Sequence, residues 1–284
     1  MLTLVRWLSR WPLWLLHVLG GWLGWLTYAL SPSYRSRLRA NAARAGVSAA
    51  DRRAAVAEAG RLVSGLPRLW LRPADRAIAD PVRWDGLETL QALLDQGRGL
   101  VLLTPHLGSF EVSAQAYAER FGQHQPITVL YRPARKRWLR ELEETARARP
   151  ALATAPATLA GVRQMLRALK RGETVGLLPD QVPPDGMGVW VPFFGQSAYT
   201  MTLAARLAQQ TGAAVGLLWT ERLPGGRGYL VHAEGLPQAL PEGGGDEASA
   251  RAINAAMEAV IRRCPRQYLW GYHRYKQPRR PEGA

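Results

Sequence analysis

Cysteine is almost absent from this chain: Cys264 is alone among 284 residues, which excludes an intramolecular disulfide framework. No grouping of Cys and His has the spacing of a zinc site, so a metal-free, cytosol-facing protein is the simplest reading. Acidic residues are scarce as well. The 22 Asp and Glu stand against 37 Lys and Arg, for a formal net charge of +15. Such a chain suits an anionic partner, whether nucleic acid, anionic lipid or an acidic carrier protein, and charge by itself does not choose among them. Sequence repeats and linkers between elements are lacking too. With 47% hydrophobic residues, the chain can bury one sizeable core, read here as one catalytic domain.

Charge is missing most completely between Trp11 and Leu30, twenty residues with four tryptophans and no formally charged side chain. Arg6 and Arg10 precede this run, and Arg35, Arg37 and Arg39 follow it. It belongs at a membrane. Its length is about enough to cross a hydrocarbon core of roughly 30 Å, while Pro12, His17 and the Trp/Gly richness fit a helix lying in the interface. Arginines on both flanks leave the orientation open. A cleaved signal peptide is disfavoured, because no small-x-small cleavage site is present; a buried helix of a soluble protein is the plain structural alternative. Residues 1–34 are thus expected to form a membrane-anchoring helix. Residues 35–85, rich in Ala and Arg and ending in the proline-punctuated Pro67 to Pro73, are expected to form a helical cap.

From Gly86 onward the apolar pattern alternates. Helices are expected at Leu87 to Gln96, from Phe110, at Arg135 to Arg147, near Thr158 to Arg171 and near Thr200 to Thr211. Strands are expected at Leu100 to Leu103, Ile127 to Tyr131, Thr174 to Leu178, Ala214 to Trp219 and Tyr229 to His232. This order defines an α/β fold with a mainly parallel central sheet flanked by helices, occupying residues 86–276. The tail 277–284 is expected to be disordered.

Within that frame, Thr104-Pro105-His106-Leu107-Gly108-Ser109-Phe110-Glu111 follows the apolar run Gly99 to Leu103 directly. Residues five apart do not share a helix face; Pro105 and Gly108 supply the bend that lets His106 and Glu111 meet at a strand's carboxyl end, where ligands bind in open parallel sheets. The pair reads as a base and its orienter. A neutral imidazole accepts a proton near neutral pH, and a carboxylate on its other nitrogen fixes the tautomer. The attacking oxygen would belong to the substrate, since Ser109 is too near in sequence for a triad and Cys264 is remote. A structural His–acid contact is the competing reading.

Three more blocks fall where such a sheet gathers its loops. Tyr131-Arg132-Pro133 ends one strand and opens the basic run Arg135, Lys136, Arg137; Arg132 is suited to an anionic or developing oxyanion centre, and a solvated helix start is its alternative. Leu178-Pro179-Asp180-Gln181 follows another strand, with Asp180 placed to orient Arg132 or a substrate hydroxyl, or to cap its loop. Val191-Pro192-Phe193-Phe194-Gly195 carries half of the four phenylalanines in a loop-like setting that would wall an acyl-chain slot or pack as ordinary core. Thr200 would then start the next helix as its N-cap.

Taken in order, His-Leu-Gly-Ser-Phe-Glu, Tyr-Arg-Pro, Leu-Pro-Asp-Gln, Val-Pro-Phe-Phe-Gly and the block Tyr268 to Lys276 resemble the bacterial lauroyl/myristoyl acyltransferases of late lipid A assembly, over nearly the whole chain. Gly108-Ser109-Phe110 departs from the Gly-Asn-Trp often found there. The resemblance implies transfer of a fatty acyl chain from acyl carrier protein, or less often coenzyme A, to a hydroxyl of an anionic, phosphorylated glycolipid at the cytoplasmic side of the bacterial inner membrane. It implies His106 as general base and Glu111 as its orienter. Arg132, Asp180 and Gln181 would support the substrate, and Phe193, Phe194 and Gly195 would shape its pocket. No metal or cofactor besides the acyl thioester co-substrate is implied. An acidic carrier would dock on Arg135, Lys136, Arg137 and Arg140, and no nucleic acid is involved. Transfer to another glycolipid or phospholipid, or a membrane thioesterase using the same dyad, are the alternatives.

Overall fold

The computed structural model describes residues 2–131, 134, 140, 142, 143, 146, 148–241 and 243–279. Arg132, Arg135, Lys136 and Arg137, most of the helix expected at Arg135 to Arg147, and all but the first residues of the expected tail lie outside the described residues. The amino-terminal part is helical: α1 (Leu2–Leu8), α2 (Leu13–Leu30), α3 (Pro32–Arg44) and α4 (Ala49–Trp70). Local chemistry starts two of these. Ser31 accepts a hydrogen bond from the Tyr34 amide with Pro32 in the first helical turn, and Ser48 accepts from the Asp51 amide, each satisfying a donor that the helix start leaves unpaired.

The remainder runs β1 (Val82–Asp85), α5 (Leu87–Leu94), β2 (Leu100–Leu103), α6 (Phe110–Phe121), β3 (Ile127–Tyr131), β4 (Leu152–Pro156), α7 (Leu159–Lys170), β5 (Thr174–Leu177), β6 (Gly188–Phe193), β7 (Gln196–Met201), α8 (Leu203–Thr211), β8 (Ala214–Arg222), β9 (Tyr229–Gly235) and α9 (Gly245–Arg263). Seven strands form one sheet in the order β1-β9-β8-β2-β5-β3-β4, parallel throughout except for the β8–β9 pair. This is the expected mainly parallel sheet flanked by helices.

At its centre β2 is buried along all four residues, as a strand covered on both faces must be. Alternation sends Leu100 and Leu102 to one core, with Leu90 of α5 and Val112, Ala116 and Tyr117 of α6. Val101 and Leu103 face the other, with Met165 and Leu169 of α7, Leu207 of α8 and Met257 and Ile261 of α9.

Several differences from the expected elements have physical causes. At the sheet edges β1 shows a half-exposed alternation, which mutes the apolar signal, and β4 ends on Pro156, tolerated at an edge. The Val189 to Thr200 stretch is a hairpin of β6 and β7 rather than a loop, closed by Phe194 and Gly195, both at positive φ, the backbone twist that two-residue hairpin turns require. Thr200 therefore lies in β7 and does not cap a helix; its buried hydroxyl accepts from Asn254 and Arg274.

Leu103 is fully buried in the central strand, whereas Leu159 is 73% exposed at the start of α7. Leu103→Ala is expected to destabilise the protein by about 2–5 kcal/mol, and Leu159→Ala by no more than about 0.5 kcal/mol, as measured by denaturant titration.

Candidate active site

His106 and Asp180 meet because two parallel strands are in register. Leu103 of β2 pairs with Leu177 of β5, and the two site residues each lie three positions beyond those ends. After Leu103 the chain leaves the sheet: the Thr104 amide still donates to Leu177 O, and the Thr104 hydroxyl donates to Leu218 O on the other neighbouring strand. Gly108 turns the chain at φ +59, against Thr220 of β8. Its amide donates to Gln267 O, the Ser109 amide to Thr220 O, and the Leu269 amide to His106 O. The segment carrying His106 is thus held by backbone bonds on both sides before α6 begins.

Both oxygens of Asp180 engage His106. Oδ2 accepts from the His106 backbone amide at 2.9 Å and Oδ1 lies 2.7 Å from Nδ1. The other ring nitrogen, Nε2, is 3.0 Å from Gln181 Nε2. An amide nitrogen can only donate, so Nε2 accepts and Nδ1 carries the proton donated to Asp180. That is the tautomer of a base. Asp180 is buried, which alone would raise its pKa, but electrostatic attraction to His106, the two hydrogen bonds from His106 and the nearby Arg274 guanidinium more than reverse this and hold its carboxyl below the usual range.

The carboxylate on Nδ1 is thus Asp180, where the sequence alone suggests Glu111. Glu111, five positions on and past a bend, lies in the first turn of α6. It lines a small cleft with His17 of α2, Arg61 of α4, Ser109 and Arg222. Asp180 bonds His106 through both oxygens, and its relation to Arg132 lies outside the described residues. Gln181 stands at the imidazole, against Nε2. Phe193 lines a small cavity with Asn41, Trp270, Tyr272 and Arg274. Phe193 and Phe194 are buried in the core, with Phe194 packed on Trp270 and Phe193 under the Arg274 guanidinium; Gly195 is the exposed tip of the hairpin turn.

Residue-by-residue reading missed the support around this pair. Gln267 is buried, accepts from the Arg222 amide and donates to Arg222 O. Arg274 is buried, donates to Tyr199 O and to the Thr200 hydroxyl, and its ordinary pKa is lowered by burial against the opposing pull of Tyr268 and Asp180. Burial, and then Asp180, push the Tyr268 hydroxyl well up. The concentrated polar and aromatic block Tyr268 to Lys276 was the available signal. Among the described residues no group of His, Cys, Asp and Glu is arranged to hold a metal ion.

A histidine bonded to a buried carboxylate at the carboxyl edge of a parallel sheet makes this edge the candidate active site of an α/β enzyme. The chain belongs to the bacterial lipid A biosynthesis acyltransferase family, whose pattern it matches over residues 1–277. It is 30% identical over 227 residues to the lipid A biosynthesis lauroyltransferase of Escherichia coli (strain K12), covering 79% of this chain and 70% of that protein. To the lipid A biosynthesis palmitoleoyltransferase of the same strain it is 29% identical over 201 residues, 70% of this chain and 62% of that protein. A lipid A biosynthesis acyltransferase of Haemophilus influenzae is 25% identical over 185 residues, 65% of this chain and 56% of that protein.

Because the folded pKa of Asp180 is below its unfolded value, its contribution to stability is complete above the unfolded pKa, ordinarily about 3.9, and is lost as pH falls through the folded one. The melting-temperature gap between wild type and Asp180→Asn is expected to be largest at pH 5 and above, and to shrink steadily on acidification below pH 4. At Gly108, a Cβ would strike the Thr220 carbonyl and a left-handed backbone costs a non-glycine residue about 1–3 kcal/mol. Gly108→Ala should lower the melting temperature and activity together.

Proposed function

We propose that the protein is a membrane-bound O-acyltransferase that moves a fatty acyl chain from an acyl-carrier-protein thioester, or from coenzyme A, to a hydroxyl of a lipid A precursor. The observation that carries this reading is the His106–Asp180 pair, with Nε2 left as the proton acceptor. In the reaction, Nε2 takes the proton of the acceptor hydroxyl as its oxygen attacks the thioester carbonyl. The Nδ1 proton stays with His106, donated to the Asp180 carboxylate, which stabilises the imidazolium. Collapse of the tetrahedral oxyanion expels the thiolate, which recovers the proton from Nε2; an ester and a thiol result. The negative charge on that oxyanion calls for donors, a role proposed for Arg132 and for backbone amides at a helix start. Glu111 remains a proposed site residue at the first turn of α6, acting through something other than the Nδ1 contact.

Charge supports the partners. A net charge of +15 favours an acidic carrier protein and the phosphates of an anionic glycolipid, with docking of the carrier proposed at the basic run Arg135 to Arg140. We place the protein at the bacterial inner membrane with the site on the cytoplasmic side, a reading supported by those proposed substrates and by the apolar α2.

The deciding measurement is mass spectrometry of an under-acylated lipid A precursor incubated with detergent-solubilised protein and carrier proteins bearing C10 to C16 chains. A precursor that gains one acyl chain is the expected outcome, with His106→Ala and Asp180→Asn each slowing it roughly 10²- to 10⁴-fold. Thioester loss without a lipid product would instead indicate a thioesterase or another acceptor, and equal rates in wild type and both variants would sink the role of the pair.

A further inference from the structure

α2 has two apolar sides with different fates. Its inner side is pressed along α4 in an antiparallel crossing made close by glycine: a methyl group on Gly60 would collide with Gly20, and one on Gly24 with the Val56 carbonyl. Polar bonds fasten the same side. The Ser64 hydroxyl donates to Leu16 O at 2.7 Å and Arg68 Nη1 donates to Trp11 O at 3.0 Å, while the β8–β9 turn abuts Trp14 at Gly226. On the outer side Trp14, Val18, Trp22, Trp25, Leu26 and Leu30 are exposed, at the three- and four-residue spacing of one helix face. Trp22 is 74% exposed and Trp7 of α1 is 53% exposed.

What lies behind α2 decides how it meets a bilayer. Alongside α2, α4 carries Asp51, Arg52, Arg53, Glu58 and Arg61. Glu58 is in turn paired with Arg222 of the central sheet at 2.9 Å. A crossing α2 would have to draw this charged helix, and the sheet bolted to it, to membrane depth, where charged side chains are costly. Alternatively it would have to strip off α4, exposing the glycine crossing and breaking the Leu16 and Trp11 bonds. Neither is needed if α2 lies flat. Arginines stand where a flat helix would want them: Arg35 donates to Tyr28 O and Ala29 O, and Arg39 to the Tyr28 hydroxyl, beside the end of the apolar face and within reach of lipid phosphates.

We propose that α1 and α2 form an in-plane anchor, seated in one leaflet of an anionic bilayer by the Trp7–Trp14–Trp22–Trp25 face, with both ends of α2 on the protein's side. This rests on the membrane-bound reading above and specifies it. Exposed tryptophans belong at the headgroup level, and a helix seated this way buries its face only roughly 5–10 Å deep. The same seating brings the acceptor to the site from its own leaflet: the first turn of α6, with Ser109 and Glu111, lines the cleft beneath His17 of α2.

Cys264 makes the test clean, since it is buried with its thiol pushed up to about 11 and is the only native cysteine. Arg10→Cys and Ser33→Cys, both at exposed positions flanking α2, would be prepared separately in the full chain. Each would be added to preformed phosphatidylglycerol/phosphatidylethanolamine vesicles and treated with a membrane-impermeant maleimide. Both cysteines are expected to label from outside, to extents within about twofold of each other. If one is protected until the vesicles are lysed, the in-plane seating is overturned while membrane attachment stands. If the protein does not sediment with vesicles at all, the membrane-bound reading falls as well. The exposed-face double variant Trp22→Glu/Leu26→Glu should cut vesicle binding roughly tenfold or more without altering the circular dichroism spectrum; unchanged binding would place the contact elsewhere and overturn the proposal.

Discussion

The parallel pairing of β2 with β5 is the constraint on which the site depends. A parallel ladder fixes residues in register along its length, so the equal overhang beyond Leu103 and Leu177 carries His106 and Asp180 to the same level at the sheet edge. Neither residue needs a flexible loop to find the other. The remaining bonds serve to keep the overhang from wandering: Gln267 and Thr220 hold Gly108 and Ser109 from one side, and Leu269 holds the His106 carbonyl from the other. With the backbone pinned this closely, the energy of the pair goes into aligning a ring rather than ordering a chain.

Electrostatics around the pair are arranged in layers. Asp180 is buried, yet stays charged because His106 and Arg274 face it; Arg274 is itself fixed by Tyr199 and Thr200 of β7. The hairpin is thus a support for the guanidinium behind the carboxylate. A second buried pair, Glu58 with Arg222, joins the helical part to the sheet. Buried pairs of this kind contribute little net stability against an apolar replacement, but losing one partner is costly, so their effect is to fix where α4 sits.

Much of the sheet was legible because central parallel strands are continuous apolar runs bounded by Gly, Pro or charge, as at Leu100–Leu103 and Thr174–Leu177. The edge strands were not, for lack of such a run. His106 was legible as a strand-end histidine. Its partner was not: Glu111 is near in sequence, whereas Asp180 is 74 residues away, and only the crossover that inserts β5 beside β2 makes it the neighbour. Local spacing favours local pairs, and strand order is not local. Arg222 shows the same limit, since a charged residue in Thr220-Glu221-Arg222 hides the end of a strand whose charge is matched by a distant helix.

Gln181 occupies the position at which a hydroxyl would be deprotonated. Under the proposed reaction, an acceptor has to displace its amide from Nε2, and so does any water that would attack the thioester instead. A sugar hydroxyl arrives with an entire lipid's worth of binding contacts behind it, while a water molecule arrives with none. Under that reading Gln181 would favour the lipid hydroxyl over a free water molecule at Nε2.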